Sequence, residues 1–399
     1  MSAIVRIVKT RFALILLSIA HGSVDFYVNL LQALAPAMAV HLDVPLGGIV
    51  ALVGIGQFAT NVVQPLAGLI MGRRNLSWIV WAGAALSVLP AFMGWVSGFW
   101  PLAALILIGA VGTGIFHPEG LLAAHDASGE EAHFGVPLFM AGGFFLSAVA
   151  APVGIQWVER LGFKSMAVLA IPGLLIACSL LGAHRKRKRE HPSIVVRPRS
   201  RRVARIEAGR LSFWPIFAMA ACFSIATGLF FAILTSHYEL KFGSEARAWA
   251  GWVILAMGGV GSLSSFFWGY VCRKKGYFAA VFLTMLAAAP LFFLLANAGS
   301  PAMGLAIAFP LSLIAPGALY PTSVNLSRNS AGLTQSLRAG LMVGGTWGAA
   351  AVVTVAVGVL IDRGVDTTYL VAVSACACLL AGLIAGGYEL ALRKQRTGA

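Results

Sequence analysis

Charge is scarce in this chain. Only 14 of its 399 residues are acidic and 11% are charged in all, against 59% that are hydrophobic. A soluble domain carries about 25% charged residues. A water-soluble enzyme of this size is therefore excluded, because too little polar surface exists to cover it. Cysteine is sparse too. The five (Cys178, Cys222, Cys272, Cys376, Cys378) show neither disulfide nor metal spacing and read as free core thiols. No glycine run follows a soluble strand or ends in the Lys-Ser/Thr of a phosphate loop. Gly112-Thr-Gly114, Gly142-Gly143, Gly258-Gly259-Val-Gly261 and Gly344-Gly345 read instead as close helix packing. Neither a cofactor nor a metal is expected.

What is present is apolar sequence in long blocks, at a mean hydropathy of +0.86. Stretches long enough to cross a bilayer, about 20 residues, lie near 12–38, 46–71, 77–97, 101–124, 134–158 and 163–183. They resume near 211–238, 247–271, 278–297, 301–325, 335–361 and 367–390. The pattern predicts an all-α integral membrane protein with a six-helix bundle in 1–183, a basic linker in 184–210 and a second six-helix bundle in 211–399. The first stretch imitates a signal peptide, but it is too long and holds His21 and Asp25, so it is read as a retained span.

The net charge of +15 writes topology rather than a nucleic-acid partner. With the N-terminus inside, 24 of the 29 Lys and Arg fall on the cytoplasmic side. Eleven of those lie in 184–210, a stretch expected to rest on anionic lipid head groups. Arg160, Lys164, Lys241, Arg247 and Arg363 remain outside. This predicts a multi-pass protein of the inner or plasma membrane with both termini cytoplasmic.

Four short matches recur in order at offsets of 201 to 203. Gly68-Leu-Ile-Met-Gly-Arg73-Arg74 echoes Gly269-Tyr-Val-Cys-Arg273-Lys274-Lys275. Gly114-Ile-Phe-His117-Pro118 echoes Gly317-Ala-Leu-Tyr320-Pro321. Met140-Ala-Gly-Gly143 echoes Met342-Val-Gly-Gly345, and Glu159-Arg160 echoes Asp362-Arg363. Two duplicated halves in parallel repeat resemble the twelve-helix plan of the major facilitator transporters.

An ionisable side chain inside a span costs about 2.5–3.5 kcal/mol on insertion scales and needs a reason. Span 1 carries His21, Asp25, Asn29 and Gln32 at spacings that share one helix face. Asp25 sits about 20 Å along that span, near the midplane. Span 2 carries a second stripe, Gln57, Asn61 and Gln64, and span 4 carries His117-Pro118-Glu119. Pro118 removes a backbone donor and re-aims its neighbours. A desolvated carboxylate beside an imidazole can load and release a proton. Asp25, Glu119, His21 and His117 are therefore the candidates for proton coupling; the alternative is a fixed polar lock. Asn29, Gln32, Gln57, Asn61 and Gln64 are candidates for the substrate path, or for hydrogen bonds between helices. In the second half the candidates are Tyr320, Asn325 and Trp347. Pro118, Gly68 and Arg73 are candidate hinge positions.

The first half resembles the fosmidomycin resistance protein family. The matching pieces are His21-Gly-Ser-Val-Asp25, Gln64-Pro65-Leu-Ala-Gly68 and Val111-Gly-Thr-Gly-Ile-Phe-His117-Pro118-Glu119. Ala127-Ser128-Gly129 and Gly142-Gly143 to Pro152 also match. The resemblance covers about residues 16–155. It implies export of small organic molecules or drugs by proton antiport, with Asp25, His117 and Glu119 functional. Two departures stand out. Gly72 occupies the place of the superfamily's Asp in the loop after span 2, and no central Arg or Lys is present to receive an anionic phosphonate. A proton-coupled importer or symporter of a metabolite is the alternative on the same fold, and a lipid-handling protein or non-transporting sensor is a third. The expected partners are a small-molecule substrate, protons and lipid, with no nucleic acid, and the chain is expected to be a monomer.

Overall fold

The computed structural model describes residues 3–71, 78–128, 132–190, 211–327, 330–331, 333 and 335–397. Arg73, Gly72 and linker residues 191–210 lie outside the described residues. Among the described residues the chain is helical throughout, apart from one isolated bridge between Ser212 and Ala331.

Among the described residues, eleven helices are long and apolar enough to cross a membrane. In chain order they are span 1 (Arg11–Leu42), span 2 (Leu46–Gly68), span 4 (Phe99–Ser128), span 5 (Leu138–Leu161), span 6 (Phe163–Lys186) and span 7 (Phe213–Phe242). Span 8 (Ser244–Lys275), span 9 (Tyr277–Ala296), span 10 (Pro301–Ser327), span 11 (Leu341–Asp362) and span 12 (Thr367–Lys394) complete them. The expected span 3 is shorter, Ile79–Trp95. It is α-helical over Ile79–Ser87 and winds into a 3-10 helix over Leu89–Trp95.

By contact the chain forms two compact units. One holds Met1–Leu31 and Ala59–Arg202, the other Gln32–Phe58 and Val203–Ala399. The core of the first unit gathers Leu17, Ala20 and Val24 of span 1 with Val80, Phe116, Phe139 and Leu180. Glycine permits the close approach of its helices. A Cβ on Gly114 would lie 2.7 Å from Val63, and one on Gly112 would lie 2.8 Å from the Ser87 amide. In the second unit span 7 is the axis: 67% of its most apolar stretch is buried, against 28% for the peripheral span 6 of the first unit.

Residues 32–58 join the second unit through a seam of small residues. A Cβ on Gly47 would lie 2.0 Å from the Gly358 carbonyl, and one on Gly54 would lie 2.8 Å from the Val355 amide. Where the seam ends, Asp362 accepts a hydrogen bond from the Gly47 amide at 2.7 Å. That amide belongs to the first turn of span 2, which has no intrahelical acceptors for its N–H groups.

The glycine runs are not all in regular α-helix. Gly258-Gly259 and Gly344-Gly345 lie in π-helical turns, Ala256–Val260 and Leu341–Gly345. Nor are all five thiols in the core, since Cys178 and Cys376 are exposed.

Span 12 has an acidic N-cap. Asp366 lies between spans 11 and 12 and accepts from the Thr368 amide at 2.8 Å. Hydrogen bonds from Thr368 hold its carboxyl below the usual carboxylate range. The sign follows: a carboxyl with a depressed folded-state pKa stabilises the fold above its ordinary pKa of about 4 and loses that contribution as pH falls through the lower folded value. Asp366→Ala is expected to destabilise the protein by about 0.5–2 kcal/mol near neutral pH. Thermal unfolding in detergent checks this, and the difference from the parent shrinks as the solution is acidified below about pH 4.

Candidate functional site

The polar stripe of span 1 organises the site. His21 and Asp25 are one turn apart, and His21 Nε2 lies 3.4 Å from Asp25 Oδ2. Span 4 supplies the third member: His117 Nε2 lies 3.3 Å from Asp25 Oδ1. Each carboxylate oxygen thus has its own imidazole. Asp25 and His117 keep 17% and 21% of their side-chain surface exposed, whereas His21 is enclosed.

Hydrogen bonding on the far side of each ring fixes the chemistry. His21 Nδ1 bonds to the Phe139 carbonyl at 2.7 Å, and His117 Nδ1 bonds to the Thr113 carbonyl at 2.8 Å. A carbonyl can only accept, so each Nδ1 carries the hydrogen. In a neutral imidazole the Nε2 is then a bare lone pair. Without an added positive charge, two Nε2 lone pairs and a carboxylate would face one another in a largely dehydrated place. The three groups offer ligand atoms within 4.8 Å of one another, and this is the one such convergence of His, Cys, Asp or Glu among the described residues. A proton shared among the three groups would relieve that conflict without further ligands.

Span 5 runs alongside in matching register. The Phe139 ring stacks on His21 with centroids 4.2 Å apart and planes 9° from parallel. One turn on, a Cβ at Gly143 would lie 2.4 Å from His21 Cε1 and 2.7 Å from Asp25 Oδ2. A further turn on, Ser147 accepts from Asn29 at 2.7 Å, while Asn29 also bonds the Asp25 carbonyl. Phe139, Gly143 and Ser147 thus follow His21, Asp25 and Asn29 turn by turn. Thr113, Phe139 and Ser147 are absent from a reading of polar stripes, because two act through backbone carbonyls. The signal that could have found them is the shared four-residue spacing.

Glu119 is not a member of this group. It follows His117 by two residues, about 200° around the helix, and is buried. The sequence pairs His117 with Glu119, whereas in the structure His117 faces Asp25. The stripes of spans 1 and 2 do meet: Gln57 donates to Gln32 at 3.2 Å. Asn61 is buried and Gln64 half-buried. Pro118 lies inside span 4. Gly68 has open space where a Cβ would go, so close packing does not account for it.

The second unit repeats the plan with neutral groups. Tyr320 occupies the repeat position of His117, and its hydroxyl donates to the Met342 carbonyl at 2.6 Å. Thr346 donates to the same carbonyl, in the π-turn that matches Met140 to Gly143. Trp347 packs edge-on against Tyr320, centroids 5.7 Å apart. Asn325 is exposed, nearer the end of span 10.

The chain matches the sequence pattern of the Major Facilitator Superfamily over residues 17–336. It is 25% identical over 382 residues to the uncharacterized MFS-type transporter YfnC of Bacillus subtilis (strain 168), covering 90% of this chain and 89% of that protein. A crystal structure of the peptide transporter POT with alafosfalin superposes at a TM-score of 0.70 and 14% identity, covering 96% of this chain and 95% of that one. A bacterial homolog of the human lysosomal transporter Spinster, inward-facing and occupied, superposes at 0.64 and 13% identity, covering 96% and 97%. Those likenesses speak to the fold, and the family match spans most of the chain. This protein belongs to the Major Facilitator Superfamily: it is a multi-pass membrane transporter of small molecules and not an enzyme.

Proposed function

We propose that the protein is a proton-coupled exporter of small organic molecules, working by alternating access as an antiporter. The observation that carries this reading is the triad of Asp25, His21 and His117, in which three lone-pair-bearing groups converge and both Nδ1 hydrogens are already committed to carbonyls. Such a group holds a proton when enclosed and gives it up when a conformational change hydrates or separates it. No ATP-binding motif is present to supply another drive. The resemblance to the fosmidomycin resistance family supports export, and 24 basic residues on one side support cytoplasmic termini. Glu119 is a separate carboxylate of the same half and is assigned to proton entry or release, while the Gln32–Gln57 pair and Asn61 line the substrate path. The protein works as a monomer, and the basic linker rests on anionic lipid.

The experiment is a thermal-shift screen of the purified protein against drugs, phosphonates, sugars and amino acids. Each stabilising compound is then offered to proteoliposomes loaded with a pH dye, under a gradient imposed in either direction. The expected result is proton movement opposite to that of the compound. Movement in the same direction makes the protein a symporter, and transport without any proton movement overturns the coupling.

A further inference from the structure

We propose that span 5 positions the triad: the Phe139 carbonyl and the bare Cα of Gly143 hold His21 against Asp25, making both residues positioning residues for the coupling proton. The inference rests on the coupling reading and concerns how that proton is held.

The argument starts from two contacts on one helix face, one turn apart. The Phe139 carbonyl takes the Nδ1 hydrogen of His21 at 2.7 Å, which turns Nε2 toward the carboxylate. The Phe139 ring, stacked at 4.2 Å, fixes the imidazole plane. Gly143 then supplies the missing volume. Its hypothetical Cβ meets His21 Cε1, His21 Nδ1 and Asp25 Oδ2, all at 2.7 Å or less, so any side chain there would wedge between His21 and Asp25. His117 approaches from span 4, onto the other carboxylate oxygen of Asp25. Span 5 therefore controls one of the two imidazoles and leaves the other alone. The residues of span 5 that face the stripe, Phe139, Gly143 and Ser147, are not titratable. The groups facing Asp25 are His21 from its own helix and His117 from span 4.

Two neighbouring glycines keep the two helices in this register. A Cβ on Gly22 would lie 2.7 Å from the Gly142 carbonyl, and one on Gly142 would lie 2.6 Å from the Ser18 carbonyl. The helices touch backbone to backbone, so a shift of span 5 along span 1 is transmitted to His21 without slack. Span 5 thus sets the proton affinity of the site through its position.

The test is a double-mutant cycle read by infrared spectroscopy on the full-length protein in lipid. The protonated-carboxyl band of Asp25 is assigned by its loss in Asp25→Asn and titrated with pH. Gly143→Ala removes His21 as a partner, so the protonated carboxyl persists to higher pH, by at least about 0.5 pH unit. In a His21→Ala background the same substitution is expected to add nothing. An unshifted titration in a folded Gly143→Ala protein overturns the proposal, and so does a shift that survives in the His21→Ala background. Should Gly143→Ala not fold, Phe139→Leu removes the stacked ring and keeps the carbonyl; its shift must likewise vanish without His21. This readout needs no substrate. Proteoliposomes without proton movement would defeat the coupling reading while the titration still judged the positioning.

Discussion

Asp25→Asn is expected to give a folded transporter that moves no protons. The amide keeps the size of the carboxylate, and its N–H can donate to one of the two bare Nε2 atoms 3.3 and 3.4 Å away. The lone-pair conflict is then relieved by a hydrogen that cannot leave, so the fold survives, with stability within about 1–2 kcal/mol of the parent. The loss falls on function. With no carboxylate at the centre, protonation of either histidine is no longer favoured by an adjacent negative charge. Proton flux in dye-loaded proteoliposomes should fall to that of protein-free vesicles, while thermal shift by a compound that binds the parent persists. Retained pH-driven flux would place the coupling proton elsewhere, with Glu119 the next candidate. His117→Ala differs in kind. It leaves a carboxylate oxygen of a mostly dehydrated group without its partner, so it costs stability, about 1–3 kcal/mol, as well as flux.

The second large effect is expected at the seam that ties residues 32–58 to span 11. Asp362→Ala removes the acceptor of the Gly47 amide, bonded at 2.7 Å. N-terminal caps are worth about 0.5–2 kcal/mol, so hydrogen exchange in the first turn of span 2 should quicken by about tenfold. Gly358→Leu attacks the same seam by bulk. A Cβ there already lies 2.5 Å from the Gly47 carbonyl and 2.6 Å from the Ala51 amide, and both atoms are backbone and cannot rotate away. Overpacking of this kind costs about 1–3 kcal/mol and should raise exchange along the whole first half of span 2, where Asp362→Ala affects one turn. Unchanged exchange in both variants would mean that the seam does not hold span 2. The contrast with the loop after span 2 matters. There the superfamily's usual acid is replaced by Gly72, so the carboxylate at a helix start is found at the opposite end of span 2 from the one the family pattern predicts.

The sequence discloses unevenly. Long apolar blocks and the repeat at one offset reveal the architecture, because bilayer thickness leaves few ways to satisfy a backbone in lipid. His21 and Asp25 are legible because a spacing of four puts them on one helix face. His117 is legible only as a residue of interest. Its partner is not, since His117 and Glu119 are neighbours in sequence yet point apart on the helix. Phe139 escapes altogether, since it contributes a carbonyl, and Gly143 shows up only as part of a packing glycine run, with nothing to mark the two side chains it makes room for. Asp362 shows up merely as half of a repeated acidic–basic pair. Its role depends on a helix start hundreds of residues earlier, a juxtaposition that no local spacing encodes. The 3-10 winding at the end of span 3 is likewise invisible, because hydropathy does not distinguish it from α.

That winding has a consequence for the reach of span 3. The 9 α-helical residues of span 3 and its 7 residues of 3-10 helix rise about 1.5 and 2.0 Å each. With Val88 between them, Ile79–Trp95 reaches roughly 29 Å, where an all-α segment of that length would reach roughly 25 Å. The hydrocarbon layer is about 30 Å thick. The stretched turn recovers most of the deficit, and the Trp95 indole at that end donates to the Lys164 carbonyl at 2.8 Å. Seven residues of tighter winding thus give span 3 nearly the reach of the hydrocarbon layer with fewer residues than a regular α-helix of that length needs.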